Sequence, residues 1–308
     1  MKQVATLLVL AIITLVSTTA SAQYYFYNDK YYEDNLTFEI GGSGSLMNCL
    51  TDLGGRKGLG KGFIKDINPK NTQLGGGIYV TALYKHIIGL RLEGFVGKVK
   101  AYDSVLKNDN GAGKNRYERN LNFQTTLSEF SALLEFHPLF LKNYDMAEEE
   151  LPRLSPYIVA GIGFFNYKPQ GTINGRLVDL EPLRTEGQGF NEYPSRKRYN
   201  LTQINVPVGI GVKYELGALL NVRAEVVHRI LFTDYLDDVS TKYIDPSTYA
   251  TNLSASNAAL ATAWYNQTRS ATPSNYSTGS IRGNSKNNDA YFSFNLKVGL
   301  VLGRTRVR

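Results

Sequence analysis

Residues 55–62, GRKGLGKG, place glycines and a lysine at nearly the spacing that cradles a phosphate. In such loops backbone N–H groups surround the phosphate, the lysine reaches its outer oxygens, and a following Ser or Thr ligates Mg²⁺. Gly62 stands where that hydroxyl is needed, and no strand–loop–helix pattern surrounds the segment. It reads as a basic external loop. The three histidines, His86, His137 and His228, are far apart in sequence and show no metal-ligand spacing. GxSxG and HExxH are both absent, which lowers the case for a hydrolase without removing one assembled from distant strands. His86 and His137 fall at turn edges, where a solvated imidazole is the plain reading. Asp234, Asp237 and Asp238 supply three carboxylates close together, chemistry that suits Ca²⁺. EF-hand spacing is missing, so the favoured reading is that they cap loop backbone and solvate a rim. Cys49 is the only cysteine, which excludes intrachain disulfides and any cysteine-built metal centre. No cofactor is expected.

The elements that would carry these residues are strands. Residues 200–216, NLTQINVPVGIGVKYEL, put Thr202, Ile204, Val206, Val208, Ile210, Val212, Tyr214 and Leu216 on one face. Gln203, Asn205, Pro207, Gly209, Gly211, Lys213 and Glu215 fall on the other. Side chains alternate with period two along a strand, and strands of soluble domains usually stop after about five or six residues. Apolar-out and polar-in over such a length is the pattern of a transmembrane β-barrel. Seven further segments repeat it, at 36–44, 73–84, 88–99, 123–137, 156–167, 221–233 and 290–303. The expected fold is therefore an all-β, eight-stranded antiparallel transmembrane barrel of the outer-membrane type. Connections alternate between short ones at 85–87, 138–155 and 217–220 and long polar ones at 45–72, 100–122, 168–199 and 234–289. Short periplasmic turns and long external loops are what such barrels show. Residues 249–288, rich in Ser, Thr, Asn and Ala, read as mobile surface.

The polar face carries Glu39, Arg91, Glu93, Glu129, Glu135, Lys213, Glu215, Arg223, Glu225 and Arg229. Eight strands enclose room only for side chains, so these residues are expected to form a lumenal salt-bridge network rather than an ion path. Turned to lipid, each charge would cost about 2–4 kcal/mol near the midplane.

Lys2, the apolar run 7–16 and the small residues Ala20, Ser21 and Ala22 read as a secretory signal peptide over 1–22. The remaining organisation is a short periplasmic segment at 23–35, the barrel over 36–303 and a basic periplasmic tail at 304–308. A net charge of +7 and a pI of about 9.2 suit anionic surfaces such as lipopolysaccharide, and equally a plain excess of Lys and Arg that solvates the loops. Export to the outer membrane of a Gram-negative-type cell excludes nucleic acid as a partner. Glu148, Glu149, Glu150, Arg304, Arg306 and Arg308 would then share the periplasmic side, available to a partner there.

Four segments together, residues 155–169 (SPYIVAGIGFFNYKP), 180–189 (LEPLRTEGQG), 199–216 and 232–243 (FTDYLDDVSTKY), resemble the PorG-like outer-membrane β-barrel proteins associated with type IX secretion. Weaker likeness runs over 41–104, and 252–288 departs from the pattern. The resemblance implies a non-enzymatic barrel that contacts the periplasmic ring of the secretion machine, and it carries over no catalytic residue. A stand-alone surface barrel binding ligand or lipopolysaccharide through its loops is the other reading, an outer-membrane hydrolase the third.

Overall fold

The computed structural model describes residues 35–55, 68–107, 113–142, 152–217, 219–269 and 276–302. The expected signal peptide 1–22, nearly all of segment 23–35, most of the glycine-rich loop 55–62, Glu148, Glu149, Glu150, and the tail with Arg304, Arg306 and Arg308 lie outside the described residues.

The described residues form nine strands: β1 (Leu36–Leu50), β2 (Gln73–Tyr84), β3 (Ile88–Tyr102), β4 (Asn122–Phe136), β5 (Leu154–Ile173), β6 (Arg176–Asp179), β7 (Thr202–Glu215), β8 (Leu220–Leu231) and β9 (Ala290–Leu302). Eight of them form the wall. Every neighbouring pair is antiparallel, β4 pairs with β5, and β1 pairs with β9 from Phe38 opposite Leu302 to Leu50 opposite Ala290, which closes the ring. β6 is outside the ring, a short hairpin partner to the far end of β5. Closure leaves no unpaired edge, which a wall in hydrocarbon requires. Among the described residues no helix is long and apolar enough to cross a membrane; the crossing is made by strands.

Facing follows the alternation. Ile78 is 73% exposed and Ile210 67%, whereas Tyr79 and Lys213 on the alternate register are each 1% exposed. Exposed apolar side chains continue around every wall strand, among them Leu90, Leu134, Ile162, Val226 and Leu296. A soluble surface rarely carries so large a contiguous apolar band, and a lipid-facing one needs it.

Strands outlast the expected lengths at the long-loop end. β1, β3 and β5 run on to Leu50, Tyr102 and Ile173, into stretches the sequence suggested as loop. Ladder hydrogen bonds need no apolar face, so polar residues above the membrane keep pairing. The β5–β6 hairpin turns at Asn174 and Gly175, both with positive φ (51° and 77°), the two-residue geometry that Asn-Gly favours.

The long connection after β8 differs most from expectation. It holds two helices, α2 (Ser247–Asn252) and α3 (Ala255–Tyr265), while α1 (Gly113–Arg119) lies in the loop after β3. Ser254 accepts a hydrogen bond from the Asn257 N–H at the start of α3, and the alanines of ASNAALATAWY favour helix. Ala261 and Trp264 are buried on its inner side. A Cβ on Gly171 would run into the Trp264 ring, so that glycine makes the seat. Composition suggested a mobile surface; instead the segment packs with Leu180, Leu183 and Phe190 into an apolar cap continuous with Met47, Val99 and Phe165 inside the barrel mouth.

Candidate functional site

All ten charged residues expected on the lumenal face are at most 5% exposed, and the barrel interior brings them together. Three levels can be distinguished, from the short-turn end upward. At the lowest, Arg223 forms a two-pronged pair with Glu39 (Nε–Oε1 2.8 Å, Nη2–Oε2 2.7 Å) and donates from Nη1 to Glu135 at 2.9 Å. Arg91 donates to Glu135 at 2.5 Å, to Glu93 at 3.2 Å and to Glu225 at 2.9 Å. Lys213 donates to Glu215 at 3.0 Å. Lys297 bridges Glu93 at 2.5 Å and Glu225 at 2.8 Å. The planar guanidinium of Arg suits such forked contacts in a way that an ammonium does not.

Two tyrosines complete this level. The Tyr79 hydroxyl donates to Glu39 at 2.5 Å and that of Tyr157 to Glu225 at 2.7 Å. Both rings lie within 6 Å of the Arg91 and Arg223 guanidinium carbons. Inward glycines make the space: a Cβ on Gly41 would meet the Tyr79 ring at 2.7 Å, and one on Gly211 the Tyr157 ring at 2.6 Å. At the middle level Glu129 accepts from Arg229 at 3.0 Å, from Asn205 at 2.9 Å and from the Tyr291 hydroxyl. Above that the lumen turns apolar.

The lowest level also contains a Ser–His–Glu chain. Ser155 Oγ is 2.8 Å from Nδ1 of His137, whose Nε2 is 3.2 Å from Glu135. Its chemistry fails on three counts. Ser155 and His137 are both 0% exposed, so nothing can reach the hydroxyl. Glu135 is held by two arginines, and the ring presents Nδ1 rather than Nε2 to the serine, opposite to the usual nucleophile–base arrangement. The chain satisfies buried polar groups. It also corrects the sequence reading of His137 as solvated: the position just past the strand end still points into the lumen. His86 is likewise buried, at 5% exposure.

A second ionic layer lies between the barrel mouth and the cap. Glu186 accepts from the Ser240 and Thr241 N–H groups at 2.9 and 3.0 Å, and from Arg282 at 2.7 Å. Asp238 accepts from Thr185 at 2.5 Å and Tyr199 at 2.7 Å. Arg119 donates to Asp103 at 2.8 Å and to the Asp52 carbonyl at 2.9 Å. Asp237 caps backbone, accepting from Leu53 and Val239, and Asp289 accepts from Leu236. Asp234 is buried with one carboxylate oxygen lacking a hydrogen-bond partner. The Ca²⁺ candidates Asp234, Asp237 and Asp238 thus turn to different partners, and among the described residues no His, Cys, Asp or Glu trio is arranged to hold a metal ion. Asp237 caps loop backbone, yet none of the three solvates a rim.

Burial dominates the acidity of these loop carboxylates. It pushes Asp234 up to about 8, aided by the charges of Asp52 and Glu186. It also raises Asp238 to about 6 against the pull of Arg282, raises Asp237, aided by the charges of Asp52 and Asp234, and raises Asp289, aided by those of Asp237, Asp234 and Asp52.

Sequence reasoning missed Lys297, Tyr79, Tyr157 and Tyr291 as members of the lumenal network, and Glu186, Arg119 and Arg282 in the cap. The first four sat on the inward register and were legible there. The cap residues had no periodic signal to place them.

With this geometry in hand, comparison with known proteins adds a family. Residues 53–280, well over half of the chain, match the model of a domain of unknown function, DUF6089. The chain belongs to the DUF6089 family. No curated protein sequence matches it. Among solved structures it is similar to Ail, the attachment invasion locus protein of Yersinia pestis, in complex with the heparin analogue sucrose octasulfate, at 9% identity over 87% of this chain and 97% of that one, TM-score 0.35. Neisserial surface protein A (NspA) gives 9% identity over 87% and 99%, TM-score 0.37. The outer membrane protein OprG from Pseudomonas aeruginosa gives 11% identity over 86% and 95%, TM-score 0.34. Overlaps this loose carry no argument about role. For this DUF6089 member the barrel rests on its own strand pairing.

Proposed function

We propose that this DUF6089 protein is a non-enzymatic, non-conducting outer-membrane barrel that serves as an anchor or accessory subunit of a type IX-like protein-secretion apparatus. The observation that carries the reading is the sealed lumen: cross-wall ion pairs fill its lower half and the apolar cap fills its mouth. Such a barrel moves nothing through itself, so on this reading its protein partners meet it at its two ends. Support for the secretion partner comes from the resemblance of residues 155–169, 180–189, 199–216 and 232–243. Three of these segments meet in space, where Asp238 accepts from Thr185 and Tyr199 and Glu186 accepts from Ser240.

Chain direction puts the β4–β5 turn and the end of β9 at the short-turn end, which this reading takes as the periplasmic one. Glu148, Glu149, Glu150, Arg304, Arg306 and Arg308 flank those points and are the proposed contacts. The test is co-purification of periplasmic partners with the tagged full chain. Reversing both charge sets should weaken capture while leaving the barrel heat-modifiable, and removing 252–288 from the opposite end should spare it. Loss on the loop deletion alone would overturn the anchor reading in favour of a surface-binding barrel. One observation favours that second reading: a cleft of about 480 Å³ on the cap, lined by Asp52, Arg116, Arg119 and Tyr276.

A further inference from the structure

The outer wall of the barrel is uncharged except at one place. Among the described residues, the outward positions of the eight wall strands carry no carboxylate, and their only lysines are Lys98, Lys100 and Lys168. All three lie at the long-loop end of β3 and β5. Register aligns two of them: Lys98 is opposite Thr126, and Thr126 is opposite Lys168. With strands about 4.8 Å apart, the two lysines stand roughly 10 Å apart in one row with a hydroxyl between them.

Beneath that row the wall is hollowed. An open groove of about 710 Å³ runs between Ile78, Val96, Phe130 and Phe164, floored by Gly76 and Gly94. A second hollow of about 550 Å³ shares Gly76 and Val96 with it and reaches up to Lys98 and Thr126. Apolar groove and cationic row are therefore one continuous surface. Lys168 pairs with Asp179 at 2.7 Å, at a half-exposed position. Lys98 makes no ion pair among the described residues.

We propose that this surface binds one phosphorylated, multiply acylated lipid of the outer leaflet. The phosphate sits on the Lys98–Thr126–Lys168 row, and an acyl chain follows the groove past Gly94 toward Phe130 and Phe164. The depth order is what selects this occupant. Lysines at the level of headgroups attract anionic lipid, and only a molecule with a charged head directly above a long apolar body meets both features. A second copy of this chain fits poorly, because its outward wall offers lysines and no carboxylate to the row. The proposal rests on the long loops facing outside and not on any secretion role, so it survives or fails independently of that reading.

The test uses the full chain, purified in mild detergent and checked for heat-modifiability, with bisphosphorylated lipid A as the probe and native mass spectrometry counting bound lipid. Lys98→Gln with Lys168→Gln should lower retention on the order of tenfold or more. Gly94→Trp should do the same by filling the groove, since a Cβ there meets no atom within 4 Å and the barrel need not move. Lys85→Gln, at the opposite end, should change nothing, and lipid A stripped of its phosphates should bind the wild type as weakly as intact lipid A binds the lysine variant. Retention unchanged in the exposed double-lysine variant overturns the proposal, as does equal binding of dephosphorylated lipid. Unchanged retention in Gly94→Trp overturns the groove as the acyl site.

Discussion

Arg91 and Glu225 join opposite walls of the barrel: Nη1 of one lies 2.9 Å from Oε2 of the other, although 134 residues separate them. Their strands, β3 and β8, are four steps apart in the ring of eight. This ion pair therefore spans the lumen, whose width the eight-strand ring sets, and helps to fill it. Breaking it on one side should be costly, because a buried charge loses its partner. Glu225→Gln or Arg91→Met should each destabilise the barrel by about 3–5 kcal/mol, read from denaturant midpoints of refolding into bilayers. The double variant should lose less than the sum.

Facing on β7 gives a second expectation. Val208 points outward near the middle of the strand, so Val208→Arg should cost about 2–4 kcal/mol. Gly209 points inward, where a Cβ would lie 2.5 Å from the Val226 carbonyl oxygen and 3.1 Å from Val159. Gly209→Ala should therefore also destabilise, by about 1–3 kcal/mol through overpacking. Refolding yield measures both, and a neutral Gly209→Ala would mean the wall is looser than drawn.

The cap can be loosened without the wall. Trp264, 2% exposed and seated over Gly171, should cost the cap about 3–5 kcal/mol when cut to Ala. Limited proteolysis should then cleave within 247–269 while the heat shift on a detergent gel persists. Loss of the heat shift would show that cap and wall fold as one unit.

Protons should hold the cap shut. Asp234 and Asp238 are raised to about 8 and about 6 in the closed cap, against about 3.9 for a free Asp. The closed form thus binds more protons than the open one between those values. Cap stability should fall as pH rises from about 4 to about 8 and level off above. Hydrogen exchange over 234–241 should speed up along that course, and Asp234→Asn should flatten its upper part. A rate of opening that slows with pH would reverse the sign and refute the assignment.

The wall was legible in the sequence because its code is binary. A one-residue slip would turn Lys213 or Arg223 into lipid, so alternation alone fixed the facing of all ten lumenal charges. The partners were not legible: Glu93 could pair along its own strand or across three, and only strand order decides that it meets Lys297 as well as Arg91. The cap was missed for a different reason. Its contacts are made by single residues such as Trp264, Glu186 and Arg282, each placed by loops with no repeat. Even so, Ser254 before ASNAALATAWY was a helix start, and Asn174-Gly175 was a hairpin turn, both written locally.

Conductance across a planar bilayer tests the central claim most directly. The sealed lumen predicts that the purified, heat-modifiable barrel inserts without opening stepwise ionic currents, at neutral pH and in high salt. Steady, discrete conductance steps from the wild-type chain that vanish on boiling would contradict it, for they would require water and ions where Arg91 and Glu225 now meet.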